Sequence, residues 1–239
     1  AGRYVPNNMT LAAAGNVDFA ELVALADRRC GAWQPAPVQR ATPRAAANRE
    51  ARVFPNDIAT QQYVVQIANG PAAEDASRFA ARVLSTVVGD DSGSRFFWTL
   101  VDTGRAECAV MYSYEYQGTG IYLTMLCGPP DQTAANLQAI HDTLRTAQRE
   151  GITREELAQA KNKICSHLVL HSERPTNRLF VLGEIWLQRR HYQSVREMIE
   201  SYQAVTCDDV ARVLAAFPLT ECSTVAVGPL RELSIPKAP

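Results

Sequence analysis

Two histidines in this sequence have the spacing of metal ligands on a helix. His167 and His171 bound the string His-Leu-Val-Leu-His, and residues four apart lie on one face of an α-helix. Zinc-dependent hydrolysis also needs a third protein ligand and a glutamate that serves as general base. Leu170 stands where the base would be needed, while Glu173 is close enough to add a carboxylate. Because helical histidines at this spacing are usually surface or packing residues, we predict no metal site in this sequence.

Four tyrosines form a second group of side chains that are suited to binding. Tyr112, Tyr114 and Tyr116 alternate along a segment with strand character, so their side chains share one face, and Tyr122 follows in the next strand. A tyrosine offers an apolar ring with a polar tip, which suits contact with an extended peptide. A sheet face covered by helices needs aromatic residues equally. Both interpretations stay open, and core packing is favoured.

The overall charge excludes some partners. Lys and Arg number 24 and Asp and Glu 25, for a formal net charge of -1. No electrostatic attraction therefore favours nucleic acid or an anionic membrane surface. The apolar fraction of 46% is typical of a folded globular chain that buries a sizeable core.

The cysteines and the N-terminus bear on the compartment. The six cysteines include no Cys-x-x-Cys pair, which argues against a zinc knuckle, and most of them are predicted to be small, buried apolar side chains: Cys30, Cys108, Cys127, Cys165, Cys207 and Cys222. A reducing, cytoplasmic location is expected. No apolar run is long enough for a membrane span, and the first four residues are neither a signal peptide nor an initiator start. We expect the natural N-terminus to lie elsewhere.

The pattern of apolar residues divides the chain into three parts. Residues 9–15 predict a strand and residues 18–29 a helix capped by Asp18, so we assign 1–33 as the last strand and helix of a preceding domain. Residues 34–52 carry prolines and arginines without periodicity and are predicted to be a linker. Residues 53–239 form the main domain.

The main domain reads as α+β. Predicted strands cover 61–68, 106–116, 120–127 and 223–227, and predicted helices cover 74–88, 96–101, 131–150, 154–173, 177–190, 195–203 and 207–216. Thr153 with Glu156, and Thr206 with Asp209, are predicted to form capping boxes at two helix starts.

The two ends of the sequence are similar to each other. Asn8-Met9-Thr10-Leu11-Ala12-Ala13-Ala14-Gly15 and Cys222-Ser223-Thr224-Val225-Ala226-Val227-Gly228 are both short apolar runs that end in glycine. Two short strands can resemble each other by chance. If the similarity is meaningful, the sequence holds the end of one domain copy followed by nearly all of a second copy.

Five segments share their order and spacing with one known family: Tyr4-Val5-Pro6-Asn7-Asn8-Met9 running into Gly15-Asn16-Val17-Asp18, Ser92-Gly93-Ser94-Arg95-Phe96-Phe97, Gly118-Thr119-Gly120-Ile121-Tyr122, Thr153 to Asn162, and Leu182-Gly183. Over nearly its whole length the sequence resembles the C-terminal half of zinc metallopeptidases of the pitrilysin and insulinase type, which include the mitochondrial processing peptidase group. The resemblance implies two homologous α+β halves that close like a clamshell around an unfolded peptide. Each half would be an antiparallel-rich sheet covered on one face by helices.

The resemblance also implies where catalysis occurs. The family's His-x-x-Glu-His motif lies in the first half and is absent from this sequence, so zinc is expected in a missing N-terminal half and no cofactor in this chain. Second halves of many relatives supply an arginine and, seven residues later, a tyrosine that bind substrate. Alignment on Ser94-Arg95-Phe96 places Val101 and Cys108 there, whereas Arg105 and Tyr112 have the same separation four residues later. Arg105 and Tyr112 are therefore our candidate substrate-binding residues.

The expected function is that of a substrate-enclosing half without catalytic activity of its own. Its partners would be the catalytic N-terminal half or a homologous subunit, and a peptide substrate, and association into a homodimer is also conceivable. Two alternatives stay open: an inactive structural or assembly subunit of the same family, and a stand-alone peptide-binding module.

Overall fold

The computed structural model describes residues 3–39 and 49–236 of the 239-residue chain, and its centre is one five-stranded sheet. The strands are β1 (Ala51–Pro55), β2 (Gln62–Gly70), β3 (Cys108–Tyr116), β4 (Thr119–Gly128) and β5 (Cys222–Gly228). Their order across the sheet is β1-β5-β2-β4-β3, with β1 parallel to β5 and the other three neighbouring pairs antiparallel. The predicted antiparallel-rich α+β fold is confirmed.

Seven α-helices accompany the sheet in the described residues: α1 (Phe19–Cys30), α2 (Arg78–Gly89), α3 (Thr133–Glu150), α4 (Arg154–Ser172), α5 (Pro175–Arg189), α6 (Val195–Ala204) and α7 (Cys207–Ala216). The segment predicted as a short helix forms one π-helical turn over Phe97–Val101. The predicted capping boxes at Thr153 and Thr206 are both present. None of the described helices is long and apolar enough to cross a membrane.

The core lies between the helices and one face of the sheet. Strict alternation in β2 buries Val64 and Ala68 under the helices and leaves Tyr63 and Ile67 on the opposite face. The buried cluster joins these strand residues to α2, α3, α4 and α7. Because all this apolar packing occurs on one side, the helices leave the other face of the sheet open.

The N-terminal segment differs from the prediction. Residues 9–14 are extended but form no strand, and Arg190 of the loop after α5 donates a hydrogen bond to the Thr10 hydroxyl over 3.4 Å. A strand needs a neighbour for its backbone groups, and no described segment pairs with this one. Asp18 caps α1 as predicted, but no residue of α1 is buried and Phe19 is 77% exposed. The apolar stripe of α1 therefore lacks a packing partner in the described residues.

The start of the main sheet was missed by the sequence prediction. β1 begins at Ala51, so the last two residues of the predicted linker, Ala51 and Arg52, belong to this strand. β1 has only five residues, ends in Pro55 and carries little apolar alternation, so its sequence gives a weak strand signal. Linker residues 40–48 lie outside the described residues.

A charged clamp fixes the start of α4. Arg95 donates hydrogen bonds to both carboxylate oxygens of Glu156, over 2.7 and 2.8 Å, and to the carbonyl of Gly151 over 3.0 Å. Glu156 also accepts from the Thr153 backbone N–H over 2.8 Å. Burial by itself would raise the pKa of Glu156, but the bonds from Arg95 and Thr153 outweigh it, so the pKa lies below its ordinary value.

We predict that Arg95→Gln destabilises the fold by about 2 kcal/mol, because it removes a charge-assisted pair that is largely shielded from water. Since the folded-state pKa of Glu156 is lowered, the pair stabilises the fold above the ordinary value of 4.5 and loses that contribution as the pH falls through the folded-state pKa. The difference between the parent and Arg95→Gln should therefore shrink on acidification. Urea unfolding at several pH values measures it.

Arg149→Gln is the control for this prediction. Among the described residues Arg149 pairs only with its neighbour Glu150, and its side chain is 74% exposed, so its loss should cost less than about 0.5 kcal/mol. Equal effects of the two substitutions at neutral pH would contradict the role assigned to Arg95.

Candidate functional site

The open face of the sheet is a continuous apolar surface. We use this name for the residues that the strand register places side by side on the face away from the helices, in three rows: Val227, Tyr63, Cys127 and Cys108; Val225, Val65, Met125 and Val110; Ser223, Ile67, Leu123 and Tyr112. Phe54 of β1 extends the first row. Six of its large apolar residues are 38% to 51% exposed, whereas Val110 is only 6% exposed: Tyr63, Ile67, Met125, Val225, Val227 and Phe54. A face of this composition is typical of an interaction surface.

The tyrosines of β3 belong to this face. Tyr112, Tyr114 and Tyr116 point away from the helices, Tyr114 is 41% exposed, and the rings of Tyr112 and Tyr114 lie 6.0 Å apart. The expectation that these tyrosines pack in the core was wrong for β3 and right for Tyr122, which is buried under the helices. Strand alternation predicted that the three side chains share a face, but nothing in the sequence indicated which face the helices cover.

Arg105 and Tyr112 are not brought together. Arg105 lies before β3, donates to the Ala135 carbonyl of α3 over 3.3 Å and accepts at its own carbonyl from Asn136 over 2.7 Å. Tyr112 lies four residues into β3, about 13 Å along the strand from its first residue. Burial raises the pKa of the Tyr112 hydroxyl. The proposed role of the two residues in substrate binding stays a prediction.

The histidine pair does not fit a zinc site. His167 and His171 stack on one face of α4, with ring centroids 5.2 Å apart, and both are exposed. Within residues 3–39 and 49–236, no group of three or more His, Cys, Asp or Glu side chains is placed to hold a metal ion. All six cysteines are free thiols of intermediate exposure rather than the buried side chains that were expected.

A groove runs along the outer edge of β3, which sequence reasoning did not find. This β3 groove has a volume of about 620 Å³ and lies between the strand and helices α2 and α4, with further contributions from α5 and α6. Its lining includes Arg78, Arg82 and Thr86 of α2, residues 113–116 of β3, Lys163, Ile164, His167 and Leu168 of α4, Glu184 and Tyr202. Only the tertiary arrangement joins these residues, so no local pattern indicated them.

Ion pairs lie at both ends of the β3 groove. At one end Lys163 contacts Asp90 over 2.8 Å and Asp91 over 3.4 Å. At the other end Arg78 contacts Glu115 over 3.7 Å. Burial raises the pKa of the Glu115 carboxyl and lowers the pKa of Arg78, so this second pair lies in a partly desolvated part of the groove.

Comparison with known proteins identifies the class. The model of the family described as "Peptidase M16 inactive domain" matches residues 3–164. The chain belongs to this family.

Named relatives are consistent with this assignment. The chain is 27% identical over 233 residues to an uncharacterized zinc protease of Mycobacterium tuberculosis, which covers 95% of this chain and 53% of the relative. An uncharacterized zinc protease of Streptomyces coelicolor is 27% identical over 237 residues, covering 96% and 52%. The chain thus spans about half the length of the curated relatives it matches.

Solved structures confirm the fold. A protease from Helicobacter pylori superposes with a TM-score of 0.76 at 20% identity, covering 90% of this chain and 54% of that one. A peptidase M16 inactive domain from Pseudomonas fluorescens gives 0.76 at 16% identity, covering 92% and 53%. A chain of complex III2 from Candida albicans gives 0.74 at 16% identity, covering 91% and 54%.

We predict that the β3 tyrosines contribute little to stability. Tyr116→Ala should cost about 1 kcal/mol or less, because the side chain is 48% exposed. Leu126→Ala, on the helix-covered face of β4, should cost about 2–5 kcal/mol. Urea unfolding compares the two, and a Tyr116→Ala cost as large as that of Leu126→Ala would contradict the assignment of the open face.

Proposed function

We propose that this chain is the substrate-enclosing, non-catalytic C-terminal half of a zinc-dependent endopeptidase that cleaves unfolded peptides. The open face of the sheet carries the proposal. This face is apolar from Phe54 of β1 to Tyr112 of β3, and among the described residues no helix lies over it. In a clamshell the open face turns toward the catalytic half and toward the peptide held between the halves.

The N-terminal segment supports a preceding half. The apolar residues Phe19 and Val23 of α1 are exposed, and a helix in a folded protein buries such a stripe. We assign residues 1–33 as the tail of the preceding homologous domain, 34–52 as the linker and 53–239 as the C-terminal domain. The preceding half, or a homologous subunit in its place, would cover α1.

The lack of a metal centre in the described residues gives the two halves different tasks. The sequence lacks the His-x-x-Glu-His motif, and within residues 3–39 and 49–236 no third ligand lies within reach of His167 and His171. Zinc and the general base are therefore assigned to the N-terminal half. Tyr112 lies on the open face and is the better placed of the two candidate substrate contacts, since the Arg105 guanidinium is engaged with α3.

The direct test uses a quenched fluorescent peptide without stable structure. The isolated chain should not cleave it with or without zinc, and addition of the metal-bearing half should restore cleavage that a zinc chelator abolishes.

Tyr63→Ser combined with Ile67→Ser should raise KM or abolish cleavage by making the open face polar. Gln138→Ser, an exposed change on α3, is the matched control. Zinc-dependent cleavage by the isolated chain would contradict the proposal.

The same assay separates the two alternatives. An assembly subunit would bind the other half, yet the pair would remain inactive because that half would also lack a complete zinc site. A stand-alone module would bind extended peptides in the micromolar range without metal and without any partner. The open apolar face alone agrees with either alternative, whereas cleavage that requires both halves agrees only with the proposed function.

A further inference from the structure

The outer edge of β3 presents unpaired backbone groups to the β3 groove. The two-residue turn Gln117-Gly118 joins β3 to β4 and closes the hairpin on the pair Tyr116 and Thr119. In such a hairpin the closing pair exchanges both hydrogen bonds, and every second residue from there does the same. Tyr114 and Tyr112 therefore direct their backbone groups to β4, as does Tyr116, whose carbonyl also accepts a hydrogen bond from the Ala73 N–H over 3.0 Å. Ser113 and Glu115 direct theirs outward.

Contacts at the edge agree with this assignment. The Glu115 carbonyl accepts a hydrogen bond from Gln188 of α5 over 3.2 Å, so it points away from β4. The Ser113 N–H and C=O and the Glu115 N–H have no hydrogen-bonding partner in the described part of the chain. An edge strand with free backbone groups beside a cavity is the site where an extended peptide adds as a further strand.

The charged side chains of the groove differ in whether they have partners inside the protein. Lys163 and Arg78 already contact carboxylates of the protein. The guanidinium of Arg82, on the α2 wall between them, makes no hydrogen bond or ion pair in the described residues, although its charge acts on Glu115 and Tyr202. On the α5 wall, the Glu184 carboxylate accepts a hydrogen bond from Gln188, its one partner in the part of the chain that the structure describes. An unpaired guanidinium in a partly desolvated groove is a binding group for a carboxylate.

We propose that the β3 groove binds an extended peptide that pairs with the backbone of Ser113 and places an acidic side chain, or its terminal carboxylate, against Arg82. This inference rests on the proposed function, since it names a class of peptide that the enclosing half retains. A volume of about 620 Å³ accommodates a short segment of chain rather than a folded domain. The backbone bonds hold the segment irrespective of its sequence, and Arg82 supplies the preference.

The test measures the binding of fluorescein-labelled peptides to the 239-residue chain by anisotropy. Three blocked peptides of β-branched and alanine residues differ only in a central Glu, Gln or Lys. The Glu peptide should bind about tenfold more tightly than the Gln peptide, and Arg82→Gln should remove this difference. Arg145→Gln, an exposed change on α3, should leave it unchanged.

The backbone contact is tested separately. Ser113→Pro removes an N–H that points out of the sheet, a position where proline is tolerated on an edge strand, and should weaken binding of all three peptides about fivefold. If that variant does not fold, a Glu peptide methylated at its central backbone nitrogen serves instead and should bind more weakly than the unmethylated peptide.

Several results would overturn the inference: equal affinity for the Glu and Gln peptides, unchanged binding by Arg82→Gln, or tighter binding of the Lys peptide that Glu184→Gln removes. None of these alters the outcome of the cleavage assay with both halves. If that assay failed while the Glu peptide bound through Arg82, the proposed function would be wrong and the groove would remain a peptide site.

Discussion

The structure depends on a sheet that is packed by helices on one face only. Alternation in β2 and β4 sends Val64, Tyr122 and Leu126 into the core and Tyr63, Leu123 and Met125 to the opposite side. The helices supply enough apolar surface to bury the first set. The second set is apolar as well, so the chain folds with an exposed apolar surface of the kind that marks interaction sites.

This constraint links the two proposals. The open face and the β3 groove both adjoin β3, one at its exposed side chains and the other at its outer backbone edge. Tyr114 and Tyr116 line the groove and also belong to the open face. A peptide held along β3 would therefore contact the surface over which the proposed clamshell closes, and the strand would position both the wall and the edge of the proposed chamber.

Local signals made much of the fold predictable. The capping boxes at Thr153 and Thr206 depend on neighbouring residues, and both were found from the sequence. β1 was not, because a short edge strand gains its stability from parallel pairing with β5, at the other end of the chain. The segment over residues 9–14 shows the reverse case: its residues favour a strand, but a strand forms only where a neighbour supplies hydrogen bonds.

The candidate site was less predictable than the fold. The shared face of Tyr112, Tyr114 and Tyr116 followed from strand alternation, whereas the choice between core and surface depended on where the helices pack. Arg82 and Ser113 lie on different elements and gave no joint signal. Arg105 and Tyr112 were selected by their separation in sequence, and the strand geometry places them at different parts of the domain.

The accessibility of Met125 at the centre of the open face measures the central claim most directly. Met125 can be oxidised by hydroxyl-radical footprinting in the isolated chain and in its complex with the metal-bearing half. The account predicts ready oxidation of Met125 in the isolated chain, where the side chain is 38% exposed, and strong protection in the complex. Equal oxidation in both states would show that the other half leaves this face open, and would contradict the account.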